Sequence, residues 1–142
     1  MTMTAHEIEA FLAEVFPQVA GYSIERLDDT GLTMRLSVAD RHLRPGGTVS
    51  GPTMFELADL AMYAAVLSRI GREALAVTTG ANIDFMRKPA AGRDLLADFR
   101  LLKLGRALAV GEVLIRSEDS DDPVARAALT YSIPPKRYKT RV

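Results

Sequence analysis

The chain has 142 residues and is 48% hydrophobic, enough apolar material for the core of one domain, while 18 basic residues cancel 18 acidic ones, leaving no net field to draw it to nucleic acid. It has no cysteine, which excludes disulfides, thiolate catalysis and cysteine-rich metal sites, and its two histidines, His6 and His42, lie in different segments, so no metal site is expected. The longest apolar run, 60–67, is too short to cross a bilayer, and His6, Glu7 and Glu9 do not read as a secretory leader, so the expectation is a cytoplasmic protein with no membrane partner.

Thr4 and Glu7 have capping-box spacing, and Ile8, Phe11, Leu12 and Val15 recur at helical intervals, which predicts a short helix from about 4 to 16, closed by Pro17. Tyr22 to Leu27 reads as a strand and Asp28-Asp29-Thr30-Gly31 as a turn; Leu32, Met34, Leu36 and Val38 then alternate with polar residues, completing a hairpin. Residues 39–49, with Pro45, Gly46 and Gly47, predict a loop. A long helix runs from Thr53 to Arg69, with Pro52 at its first position, where a missing N–H has no partner to lose, and Gly71 as its stop. Four strands follow, over Ala74 to Met86, Leu95 to Leu104, Ala107 to Arg116 and Val124 to Ile133. Gly105-Arg106 supplies a tight turn, and Glu118 to Pro123 a solvated acidic loop. The end, about 134–142, is two prolines and a basic run, predicting a flexible tail. The whole reads as one α+β domain, 1–142, in which an antiparallel sheet curls around the long helix.

That helix is apolar on nearly every side and must be enclosed, yet it carries Glu56 and Asp59, which share a narrow sector with Tyr63. Glu56 reads as a solvated glutamate favoured near a helix start. Asp59, among Phe55, Leu57, Ala58, Leu60, Ala61 and Met62, is either an ordinary surface carboxylate or a retained functional one, because isolated buried carboxylates are costly. At the helix entrance the Gly51 N–H lies at the positive end of the dipole, and Ser50 is a cap or a carbonyl ligand.

Ser50-Gly51-Pro52 stands nine positions ahead of the acid in Leu57-Ala58-Asp59, and the next strand carries Thr78-Thr79-Gly80-Ala81-Asn82-Ile83-Asp84-Phe85-Met86-Arg87-Lys88-Pro89. With the order of elements, this resembles the hotdog fold and the PaaI-like branch of its acyl-CoA thioesterases, whose signature is His-Gly-Gly at the central helix with an acid nine positions after the His. Here Ser50 replaces the His and Pro52 the second Gly, and the Asn common six residues before the His falls on Arg44. The resemblance implies about six antiparallel strands around the helix and hydrolysis of a small or medium, including aromatic, acyl-CoA thioester. Asp59 would be general base or nucleophile, Gly51 the oxyanion donor with Ser50 beside it, and Thr78 or Thr79 the hydroxyl that holds the water across a subunit boundary. A thiol with a pKa of about 8.5 leaves with little protonation, so no histidine acid is required.

Substrate-binding candidates are Pro52 and Asn82 from the matched motifs and Phe55, Met62 and Tyr63, with Met54 and Met86, for an acyl pocket. Arg87 and Lys88, with Lys103, Arg106, Lys136 and Arg137, could meet the phosphates of coenzyme A, which belongs to the substrate, so no cofactor is implied. The resemblance also implies a homodimer or homotetramer with sites between subunits. The competing expectation is a non-catalytic hotdog protein that binds acyl-CoA without turnover.

Overall fold

The computed structural model describes residues 1–135, and the basic run from Lys136 to Arg141, including the candidate phosphate contacts Lys136 and Arg137, lies outside them. Helix α1, Ala5–Val15, begins with both bonds of the capping box: Glu7 N–H donates to Thr4 Oγ1 (3.2 Å) and Thr4 N–H to Glu7 Oε1 (2.9 Å). Strands β1, Tyr22–Leu27, and β2, Gly31–Leu36, form a hairpin whose turn is tied by Asp28 Oδ1, which accepts from the Thr30 and Gly31 N–H groups.

Helix α2, Gly51–Ile70, is capped by the Ser50 hydroxyl and stops at Gly71, whose φ of 90° lies in the glycine-favouring region. Gly51 is therefore the first helical residue and Pro52 the second, one position later than the sequence predicts. Strands β3, Val77–Phe85, β4, Leu95–Leu104, β5, Leu108–Ser117, and β6, Pro123–Ser132, are the other strands among the described residues. Strand β3 begins at Val77 rather than Ala74 because Ala76 N–H turns back to the Glu73 carbonyl and Tyr63 OH donates to the Ala74 carbonyl.

All six strands join one antiparallel sheet in the order β1-β2-β4-β5-β6-β3. The sheet wraps α2, which packs against β2 through β6, and Leu57, Ala61, Met62, Ala64, Val66 and Leu67 on that helix are fully buried. Burying each of the large ones contributes roughly 1.5–3 kcal/mol, so the helix is fixed from several sides at once. The wrap is tight at Gly111 on β5: a Cβ there would lie 2.2 Å from the Phe99 ring and 2.9 Å from Met62 Sδ, so only glycine lets strand and helix approach. Met62 is thus a core residue beneath the sheet and not part of an acyl pocket.

Strand β3 is last in the sheet, so among the described residues one of its edges has no strand beside it. Along that margin Val77, Phe85 and Met86 are about half exposed, and Phe55 of α2 is 38% exposed. Among the described residues no helix is long and apolar enough to cross a membrane.

Candidate active site

Asp59 sits at the third turn of α2, where the sheet closes over the helix from the β6 and β3 side. Thr78 and Tyr131 are register partners on those strands and both reach the same oxygen: Thr78 Oγ1 donates to Asp59 Oδ1 at 2.5 Å and Tyr131 OH to the same atom at 2.9 Å. The Tyr131 hydroxyl also lies 3.1 Å from the Asp59 carbonyl oxygen. Burial first, then the negative charge of Asp59, raises the Tyr131 phenol above its ordinary range, so it stays a donor through neutral pH. Neither donor engages Asp59 Oδ2. The carboxylate, partly buried, borders a small cavity of about 150 Å³ with Phe16, Tyr63, Ala76 and Val77. A carboxylate held through one oxygen beside a cavity, with neither donor on the other, can take a proton from a bound water.

Tyr63 is buried in the wall of that cavity, with its hydroxyl on the Ala74 carbonyl (3.2 Å) and its pKa pushed up to about 12 by burial and then by the charge of Glu73. Its ring stands edge-on to Phe16, with centroids 5.6 Å apart. Glu56 is exposed and accepts from Tyr22 OH at 2.6 Å rather than touching Asp59.

The other half of the candidate machinery is elsewhere. Gly51 lies eight residues before Asp59 on the same helix, which at 1.5 Å per residue separates them by about 12 Å. As the first helical residue, Gly51 has an N–H with no intrahelical acceptor. A Cβ at Gly51 would meet the Phe85 ring at 3.2 Å, so glycine here makes room for β3. Ser50 is the cap: its hydroxyl accepts from Thr53 N–H (3.3 Å) and donates to Thr53 Oγ1 (2.9 Å). Pro52 and Phe55 border an open hollow with Gly51, Ile83 and Phe85. Beside it a cleft of about 400 Å³ contains Gly51, Met54, Met86, Arg44, Arg87 and Lys88, and Arg87 also pairs with Asp122 at 3.4 Å on the surface.

Thr79 is bulged out of the β3–β6 ladder, with its hydroxyl on the Thr130 carbonyl (3.3 Å) and away from Asp59. The bulge reverses the alternation, so Ala81, Ile83 and Phe85 share the inner face with Thr78, while Asn82 points outward with Asp84. Asn82 is therefore on the outer surface of the sheet and not at the cavity. The turn holding Lys103 and Arg106 adjoins the Val77 end of the sheet, opposite Arg87 and Lys88, so these cations do not form one patch. Sequence reasoning missed Tyr131, although Ala125, Ala127, Leu129 and Tyr131 alternate on β6 and place its ring toward the helix.

A family model for the thioesterase superfamily matches residues 46–124, more than half of the chain and inclusive of Gly51 and Asp59. The chain belongs to the thioesterase superfamily. It is similar to a proposed thioesterase from Silicibacter sp. TM1040, at 60% identity over 94% of this chain and 93% of that one, with a TM-score of 0.88. It is also similar to a mutant of the phenylacetic acid degradation protein PaaI from Thermus thermophilus, at 25% identity over 88% and 99% of the two chains and a TM-score of 0.70. A thioesterase from Haemophilus influenzae, 20% identical over 95% and 93% with a TM-score of 0.80, shares the fold. No curated protein matches the chain in sequence. The thioesterase is thus a PaaI-like hotdog protein and a thioester hydrolase, and the expectation of a protein that binds without turnover is set aside.

If Asp59 is the base, Tyr131, which donates to its carboxylate, is a positioning residue. Replacing it in the thioesterase by Phe is expected to lower kcat about tenfold with KM nearly unchanged, the scale of one hydrogen bond to a charged group. Steady-state kinetics beside a melting curve check this; equal losses in kcat and stability, with KM also raised, contradict it.

Proposed function

We propose that the protein hydrolyses a small or medium acyl-CoA thioester, aromatic acyl groups included, at a site made by two copies of the chain. The observation that carries this reading is the separation just described: the acid and the helix entrance are too far apart on one helix to act on one carbonyl, while each borders its own opening. A second copy set against the β3 edge supplies the missing half. The unpaired edge and the exposed Phe55, Val77, Phe85 and Met86 support that association, as open strand edges and apolar patches favour a partner.

In this reading Asp59 of one subunit draws a proton from water through Oδ2 while Thr78 and Tyr131 hold Oδ1. The water oxygen bonds to the thioester carbon, and the developing oxyanion takes the Gly51 N–H of the other subunit, at the positive end of α2. As the carbonyl re-forms, the C–S bond breaks and coenzyme A leaves as thiolate, later protonated from Asp59 or solvent. Pro52 has no N–H, which leaves Gly51 as the donor at this turn. Arg44, Arg87 and Lys88, beside Gly51, suit the phosphates of coenzyme A. No cofactor takes part.

The test is release of free thiol from a panel of straight-chain and aryl acyl-CoA esters. At least one ester should be cleaved well above the buffer rate. Intact esters throughout the panel contradict the proposal.

A further inference from the structure

The cavity at Asp59 shares a partition with a neighbouring space. Two of its walls, Phe16 and Leu60, are also walls of a larger groove of about 360 Å³ between α1, β1 and the side of α2. Its large apolar walls are Leu12, Val19, Ile24 and Met34 together with the shared pair. Glu9 is the one charged residue among those lining it, and its Oε2 is already occupied by the Ile24 N–H at 2.7 Å. Phe16, the residue that ends α1, stands between the two spaces, edge-on to Tyr63.

We propose that this groove under α1 receives the acyl group, so that an uncharged aliphatic or aryl chain enters past Phe16 from a carbonyl held at Asp59. The inference rests on the hydrolase reading for the position of the carbonyl, and it moves the acyl pocket from the methionines of α2 to the first helix. The shared walls Phe16 and Leu60 set the groove beside the acid, which suits it to the chain attached to the reacting carbon. Its apolar lining rewards methylenes, and Glu9 at its border repels a second carboxylate on the far end of the chain.

Two experiments test it. Across unbranched esters from acetyl to decanoyl, kcat/KM should rise about fourfold per methylene until the groove is full. Tryptophan at either of two exposed lining positions, Ala13→Trp or Ala20→Trp, should cut the octanoyl-to-acetyl ratio of kcat/KM at least tenfold. In the native protein, a non-hydrolysable octanoyl thioether of coenzyme A should slow hydrogen exchange in α1 and β1, and the acetyl thioether should not. A flat chain-length profile with unmoved ratios in both variants overturns the proposal, as does equal exchange of α1 with either thioether. A protein that cleaves no ester contradicts the hydrolase reading instead, and the exchange comparison still decides this one.

Discussion

Asp59→Asn is expected to lower kcat by about 10²- to 10⁴-fold on every ester that the native enzyme cleaves, the range for loss of a positioned general base. The substitution is close to isosteric. An amide oxygen in the place of Oδ1 still accepts from Thr78 Oγ1 and Tyr131 OH, and the amide nitrogen takes the position of Oδ2, which neither donor uses. The fold should therefore survive, with a melting temperature within a few degrees of native. Because the affected step is proton removal from water, KM should change much less than kcat. Single turnover in ¹⁸O-water separates base from nucleophile: label in the released acid alone supports the base, and label retained on Asp59 supports an anhydride. Activity within a few-fold of native in Asp59→Asn contradicts any chemical role for this carboxylate.

Gly51→Pro is expected to lower kcat by about 10²- to 10³-fold, the loss seen when one oxyanion donor is removed. Proline deletes the N–H but suits the first turn of a helix, so α2 should still form. The steric consequence is separated by Gly51→Ala, which keeps the donor and adds only a Cβ at 3.2 Å from Phe85. The atom met is the far end of that ring, which needs to shift by only a few tenths of an ångström. The alanine variant should lose no more than about fivefold, as expected when a donor is displaced slightly and not deleted. Equal activities for the proline and alanine variants contradict the assignment of Gly51 as donor.

What was legible in the sequence was local. The Thr4 and Glu7 box, the Asp28 turn, Ser50 before the helix and Gly71 after it are signals within a few residues, and each element starts or stops within about three residues of its expected place. The partner of β3 was not legible, because nothing in the composition of residues 77–85 selects β6 over β4; that choice is made by long-range packing around α2. Asn82 is a candidate from the matched motif alone: unbroken alternation from Thr78 would face it inward, and a single bulged residue at Thr79 turns it out. Met62 shares the apolar character of pocket residues, and its complete burial beside Gly111 identifies it as core. Asp59 was legible as the odd residue on an apolar helix. Its supporting Tyr131 looked like any inward aromatic until the register set it opposite Thr78. The spacing of Gly51 and Asp59 is legible in the sequence, and the rise of a helix over eight residues already separates them.

The division of the site between two chains is best measured by complementation. Asp59→Asn and Gly51→Pro chains, each with its own tag, are co-expressed, and assemblies carrying both tags are purified and assayed for thiol release. In a two-fold dimer with shared sites, one site combines Asp59 from one chain with Gly51 from the other and is whole, so activity should return to about half of native. Activity no higher than that of the two parent variants contradicts the account.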